Sequence, residues 1–187
     1  SDHGVAPLPE RGLARDPAAT AGRVKPGDLD AAAKKALDAA FGALAKGENW
    51  FTRDNLGYHV RPEALAAKKL EASAVAKVLK DALTPFPFVA EAYTRDEMIA
   101  TDASGESTRA LMRRSYRGES DRDVVFVLKP YFMTKSGGGS SHGLPYDYDQ
   151  HVPQVYFGAG VPKGVPRKEL YRHYKIPVLY LTGHSGE

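Results

Sequence analysis

The chain has 187 residues, 42% of them hydrophobic and 26% charged, which is enough for one domain with a core of its own. It contains no cysteine, so disulfides, thiol catalysis and thiolate metal sites are excluded, and any metal must be held by histidine, carboxylate or other oxygen donors. Twenty-six basic residues against 23 acidic ones give a formal charge of +3 without a polybasic tract, a balance that favours anionic ligands and gives no reason to expect nucleic acid.

The first residues read SDHGVAPLPE, with Asp2 and His3 ahead of Gly4 and no strand pattern before them. They are either a frayed tail or the start of the C-terminal part of a longer chain, and the second is the expectation carried forward. From Asp28, a plausible N-cap, Leu29, Ala33, Leu37, Ala40, Phe41 and Leu44 recur at helical spacing until Gly47. NWFTRDNLGYHV carries aromatic and β-branched residues on both sides of Arg53, Asp54 and Asn55, which predicts a hairpin. Pro62 suits a helix's first turn, and Leu65, Ala72, Val75, Val78, Leu79 and Leu83 give the stripe of a second long helix that ends before Pro85.

FVAEAYT then predicts a strand, TRDEMIA and STRALMRRSY two helices, and DVVFVLKP a further strand. In that last element Val124 to Leu128 are continuously apolar, which suits a central strand covered on both faces. Sheets of that kind gather their ligands beyond the carboxyl ends of the strands, where the following loops meet. The following loop here runs through Gly137, Gly138 and Gly139 into SSHGLPYDYDQHVP. No repeat or second domain is marked. No stretch approaches the roughly 18 consecutive apolar residues of a membrane helix, and no signal-peptide pattern opens the chain, so no membrane partner is expected.

Within that loop His142 is the principal candidate. His151 either orients a ligand or is a structural histidine, and it is left out of the ligand set. Tyr146, Asp147, Tyr148 and Asp149 form either a hydrogen-bonded rim or turn-stabilising contacts, the latter being the leading reading. His59, His173 and His184 have no partner pattern, and Arg113, Arg114 and Arg117 are expected on a solvated helix face.

Four segments in order, SDHGVAPLPE, AYTRDEM, LMRRSYRGESDRDVVFVLKPYFM and SSHGLPYDYDQHVPQVYFGAGVPKG, resemble the second half of the alkaline phosphatase superfamily. The resemblance is to its type I phosphodiesterase and nucleotide pyrophosphatase-like branch, more narrowly to single-domain bacterial alkaline phosphatases, and spans residues 1 to about 168. It implies an α/β fold with a mostly parallel central sheet flanked by helices, residues 1–187 forming one partial domain incomplete at the N-terminus and at the C-terminus. It also implies a two-zinc phosphoryl-transfer site, with Asp2 and His3 matching the Asp-His pair of one zinc and His142 the late histidine of the other. The remaining ligands and the Thr or Ser nucleophile of such enzymes lie upstream, so this chain is expected to hold no catalytic nucleophile and to be inactive alone.

Zinc accepts imidazole nitrogen and carboxylate oxygen, and two zincs about 4 Å apart can clamp the attacking and leaving oxygens of an in-line displacement. Gly4 and Gly143 would let the backbone beside each histidine turn sharply. The substrate implied is a small phosphate ester, a monoester first and a diester or nucleotide pyrophosphate as the alternative; a non-catalytic remnant or anion-binding module is the third reading. Relatives of this kind are often periplasmic or secreted, and the oligomeric state is left open. After about Lys168 the chain departs from the family's pattern with ELYRHYKIPVLYLTGHSGE, where Pro177 to Leu181 predicts a short strand and truncation at both ends is expected.

Overall fold

The structure is a computed structural model that describes residues 3–18, 20–118, 121–134 and 137–150. Its centre is the apolar run singled out above: β5 (Val124–Leu128) is buried at all five positions. It lies between β3 (Gly57–Val60) and β4 (Val89–Thr94), with β2 (Phe51–Asp54) beyond β3, in the order β2-β3-β5-β4. β2 and β3 are the predicted hairpin, paired from Phe51 with Val60 to Asp54 with Gly57, so the turn falls on Asn55 and Leu56.

The expected mostly parallel sheet is not what the described residues form. All three pairings of the four-stranded sheet are antiparallel, and the parallel pairing is that of β1 (Gly22–Arg23) with β6 (Phe132–Met133). The reason lies in what an apolar run reports. Val124, Phe126, Val127 and Leu128 enter a core with Leu29, Leu37, Val75, Leu79 and Leu83, while Val125 enters a second cluster with Tyr93, Met98 and Tyr116. Cover on both faces makes every position apolar whichever way the neighbouring strands run. The mixed α/β class itself holds.

Helices supply that cover. α1 (Pro9–Arg15) was not predicted. α2 (Pro26–Phe41) begins before Asp28, which is a first-turn acid rather than the N-cap, and ends at Gly42, whose φ of 79° stops it short of Gly47. The second long helix is two, α3 (Pro62–Lys68) and α4 (Ala72–Leu83). Lys69 adopts φ 54°, and the Leu70 N–H reaches back to the Leu65 carbonyl at 3.0 Å, a C-terminal cap that turns the chain between them. The apolar stripe survives the break because Ala64, Val75, Leu79 and Leu83 all reach the same core.

α5 (Arg95–Ile99) starts in a full capping box: the Thr94 hydroxyl accepts from the Glu97 N–H at 3.3 Å, and the Glu97 carboxylate accepts from the Thr94 N–H at 2.8 Å. α6 (Thr108–Ser115) is capped by Ser107, and a single-turn α7 (Asp147–Gln150) forms inside the loop quoted above. Among the described residues no helix is long and apolar enough to cross a membrane.

Candidate functional site

The loop after β6 is held by three anchors. The Arg23 guanidinium on β1 donates to the Gly139 carbonyl at 3.0 Å and to Glu10 of α1. The Tyr146 hydroxyl donates to the Leu128 carbonyl at 2.7 Å, which ties the loop to the carboxyl end of β5. The third anchor is the start of the chain: the Gly4 N–H donates to the Asp149 carbonyl at 2.8 Å, the Ala6 N–H to the Ser141 carbonyl at 3.1 Å, and the Ser140 hydroxyl to the Ala6 carbonyl.

This third anchor brings two imidazoles together. The His3 ring stacks on the His142 ring with centroids 3.7 Å apart and planes 19° from parallel. Each histidine is followed by a glycine the geometry requires. At Gly4 an added Cβ would meet the Tyr148 carbonyl head-on, with the carbonyl carbon at 3.0 Å and the Asp149 Cα at 3.4 Å. Gly143 has φ +101°, a backbone conformation that side chains rarely adopt. His3 Nδ1 is 2.7 Å from the Gly4 carbonyl; donating there, it carries the ring proton and puts the lone pair on Nε2.

Asp149 lines a cleft with His142 and is only 6% exposed. Its Oδ2 accepts the Leu144 N–H at 2.8 Å, while Oδ1 is buried without a hydrogen-bond partner. Burial pushes its carboxyl above the ordinary range, and the Leu144 and Gly143 N–H groups act in the opposite direction, as would any positive charge on the two imidazoles. Tyr148 is also buried enough to be pushed up to about 12. Its hydroxyl accepts the N–H of Tyr131, a residue at φ 66° whose ring stacks on Tyr148 at 5.2 Å. His142 and Asp149 line a cleft with Asn55, Thr134 and Ser141 whose cavity volume is about 10 Å³, no more than one water needs. A phosphate ester does not fit inside it.

Of the three metal ligands implied by the resemblance, the structure brings His3 and His142 together; Asp2 lies outside the described residues, as do His151, His173, His184 and the segment Pro177 to Leu181. The imidazoles are donors of a type zinc accepts, but among the described residues no group of three or more His, Asp or Glu side chains could hold a metal. His59 is half-exposed on the hairpin, 3.6 Å from Asp54. Arg114 and Arg117 are exposed and Arg113 is half-buried, in keeping with the expected solvated face; Arg114 also donates to the carbonyls of Ala103 and Gly105, and Arg113 to that of Tyr116. Asp149 does stabilise a turn through Leu144. The depth of its burial was missed, because the covering segment is distant in sequence.

No family model and no curated protein matches the sequence. Solved structures do match the fold, two of them of one protein. Wild-type alkaline phosphatase PafA superposes with a TM-score of 0.65 at 20% identity, covering 80% of this chain and 27% of that one. A variant of PafA with four substitutions gives 0.62 at 20% identity, covering 79% and 26%. This chain spans about a quarter of those structures and has the fold of that part.

Proposed function

We propose that this chain, which has the fold of part of an alkaline phosphatase, belongs to a hydrolase of small phosphate monoesters in which Asp2, His3 and His142 are donors to two zinc ions. The observation that carries the reading is the contact between His3 and His142, brought from near the two ends of the described chain onto one loop beyond the carboxyl end of β5. Near-parallel rings hold their lone pairs in planes about 3.7 Å apart, so the pair suits two neighbouring ions better than joint chelation of one. When bound, zinc would favour an oxygen nucleophile and take up charge on the phosphoryl oxygens.

The chain's own part is to hold the donors. Gly4 and Gly143 set the backbone beside them, the Gly4 and Ala6 N–H groups fix the first segment to the loop, and the His3 Nδ1 contact with Gly4 selects a tautomer. The nucleophile and the remaining ligands are assigned to a longer protein containing this chain, in keeping with the 27% coverage of PafA. A larger parallel sheet would continue there from the β1–β6 pair. The monoester assignment follows the neighbour's designation as an alkaline phosphatase; preference for a diester would keep the metal reading and change the substrate.

Two measurements test this. Zinc titrated into the 187-residue chain should move the ring resonances of His3 and His142, and His142→Ala should abolish the response at His3 or weaken it strongly. The longer protein should hydrolyse an aryl phosphate in a zinc-dependent manner and lose orders of magnitude of turnover on His142→Ala. Zinc-dependent hydrolysis by the 187 residues alone, or full activity of the longer protein after His142→Ala, would overturn the assignment.

A further inference from the structure

We propose that Asp149 is the positioning residue of the imidazole pair: its backbone carbonyl and one carboxylate oxygen fasten the two histidine-bearing segments, and its other carboxylate oxygen holds a buried negative charge in the cleft it shares with His142. Part of this rests on reading His3 and His142 as metal donors; the fastening does not.

The fastening is visible bond by bond. The Asp149 carbonyl takes the N–H of Gly4, the residue after His3. The Asp149 Oδ2 takes the N–H of Leu144, two residues after His142. One residue therefore sets where both rings stand, and the turn through Gly143 is closed by its carboxylate.

The second oxygen makes no hydrogen bond of normal geometry among the described residues, although the Gly143 N–H also favours the charged carboxylate. Oδ1 is buried with no hydrogen-bond partner in a residue 94% removed from solvent, since only 6% is exposed. Leaving a buried acceptor unmade costs about 1–3 kcal/mol, more for a charged group. A side chain that only closed a turn could do so as asparagine without a buried charge. Among the described residues Asp149 does not complete a three-donor site for a single ion. What remains is an action across the shared cleft: a carboxylate lining the same small cavity as His142 favours a positive charge there.

Asparagine separates the two roles, because its amide oxygen still accepts the Leu144 N–H while the charge is gone. In the 187-residue chain, Asp149→Asn should keep the nuclear Overhauser contacts between the His3 and His142 rings and lower zinc affinity about 10- to 100-fold. Asp149→Ala should also lose the ring contacts, while the methyl resonances of β5 stay in place to show that the core is folded. Zinc affinity of Asp149→Asn within twofold of wild type would overturn the charge role and leave the proposed function standing. If zinc binds the wild-type chain away from both histidines, the proposed function falls, the charge role falls with it, and the ring contacts decide the fastening alone. Ring contacts that persist unchanged in a folded Asp149→Ala chain would overturn the fastening.

Discussion

Gly4→Ala places one methyl group where the structure has no room for it. The added Cβ would lie 3.0 Å from the Tyr148 carbonyl carbon and closer still to its oxygen, and both are backbone atoms that cannot swing aside. Carbon atoms rest at about 3.5–4.0 Å, so relieving the carbon contact alone parts the segments by about 0.5–1 Å, and the nearer oxygen demands more. That stretches the 2.8 Å bond from the Gly4 N–H to the Asp149 carbonyl past the normal hydrogen-bond range. Loss of the bond costs about 0.5–1.5 kcal/mol and the crowding about 1–3 kcal/mol, giving about 2–4 kcal/mol together. His3 moves with its neighbour, so the 3.7 Å ring contact should open as well. Urea unfolding measures the first effect and ring-to-ring Overhauser contacts the second. Gly12→Ala is the control: it is inside α1 with nothing within 4 Å of the new Cβ, and should stabilise the chain by about 0.5–1 kcal/mol. Unchanged stability and an intact ring contact in Gly4→Ala would refute the close approach on which the site is built.

Two further outcomes test the scaffold. Phe126→Ala removes a side chain with no exposed surface from the middle of β5 and should cost about 3–5 kcal/mol, read as a lower urea midpoint with an unchanged slope. Burial pushes the Glu97 carboxyl up, but Lys80 at 2.6 Å and the Thr94 N–H outweigh it, so its folded value lies below the ordinary 4.5. Its stabilising contribution is therefore complete above that value and is lost as pH falls through the lower folded one; Glu97→Gln should flatten this part of the acid unfolding curve.

The elements legible in the sequence were those whose burial repeats along the chain. Val124 to Leu128 announced a covered strand, the stripes of α2 and α4 announced helices, and the β2–β3 turn carried its own punctuation. Strand direction was not legible, because an apolar run reports cover and not the heading of its neighbours. The break at Lys69 was hidden for a related reason: lysine gives no turn signal, and the stripe continues on the far side. β1 and β6 are two residues each, too short for any period to show. The adjacency of His3 and His142 has no local signature at all and entered through resemblance of separated segments. Asp149 was legible as a turn residue but not as a buried charge, since burial by a distant segment leaves no mark on its neighbours.

The fastening of the first segment to the loop has a consequence for the order of assembly. The Ser140–Ala6 bond closes a span of 134 residues, one of the longest loops the described chain contains. Closing a loop costs entropy that grows slowly, about 0.6 kcal/mol per doubling, yet these few bonds give little in return unless both ends are already held near each other. The α2–α4 core and the β5 sheet contain shorter closures and most of the apolar surface, and they supply that proximity. The imidazole pair thus belongs to the last stage of folding, and ligand binding at it would report a finished chain rather than a collapsed one.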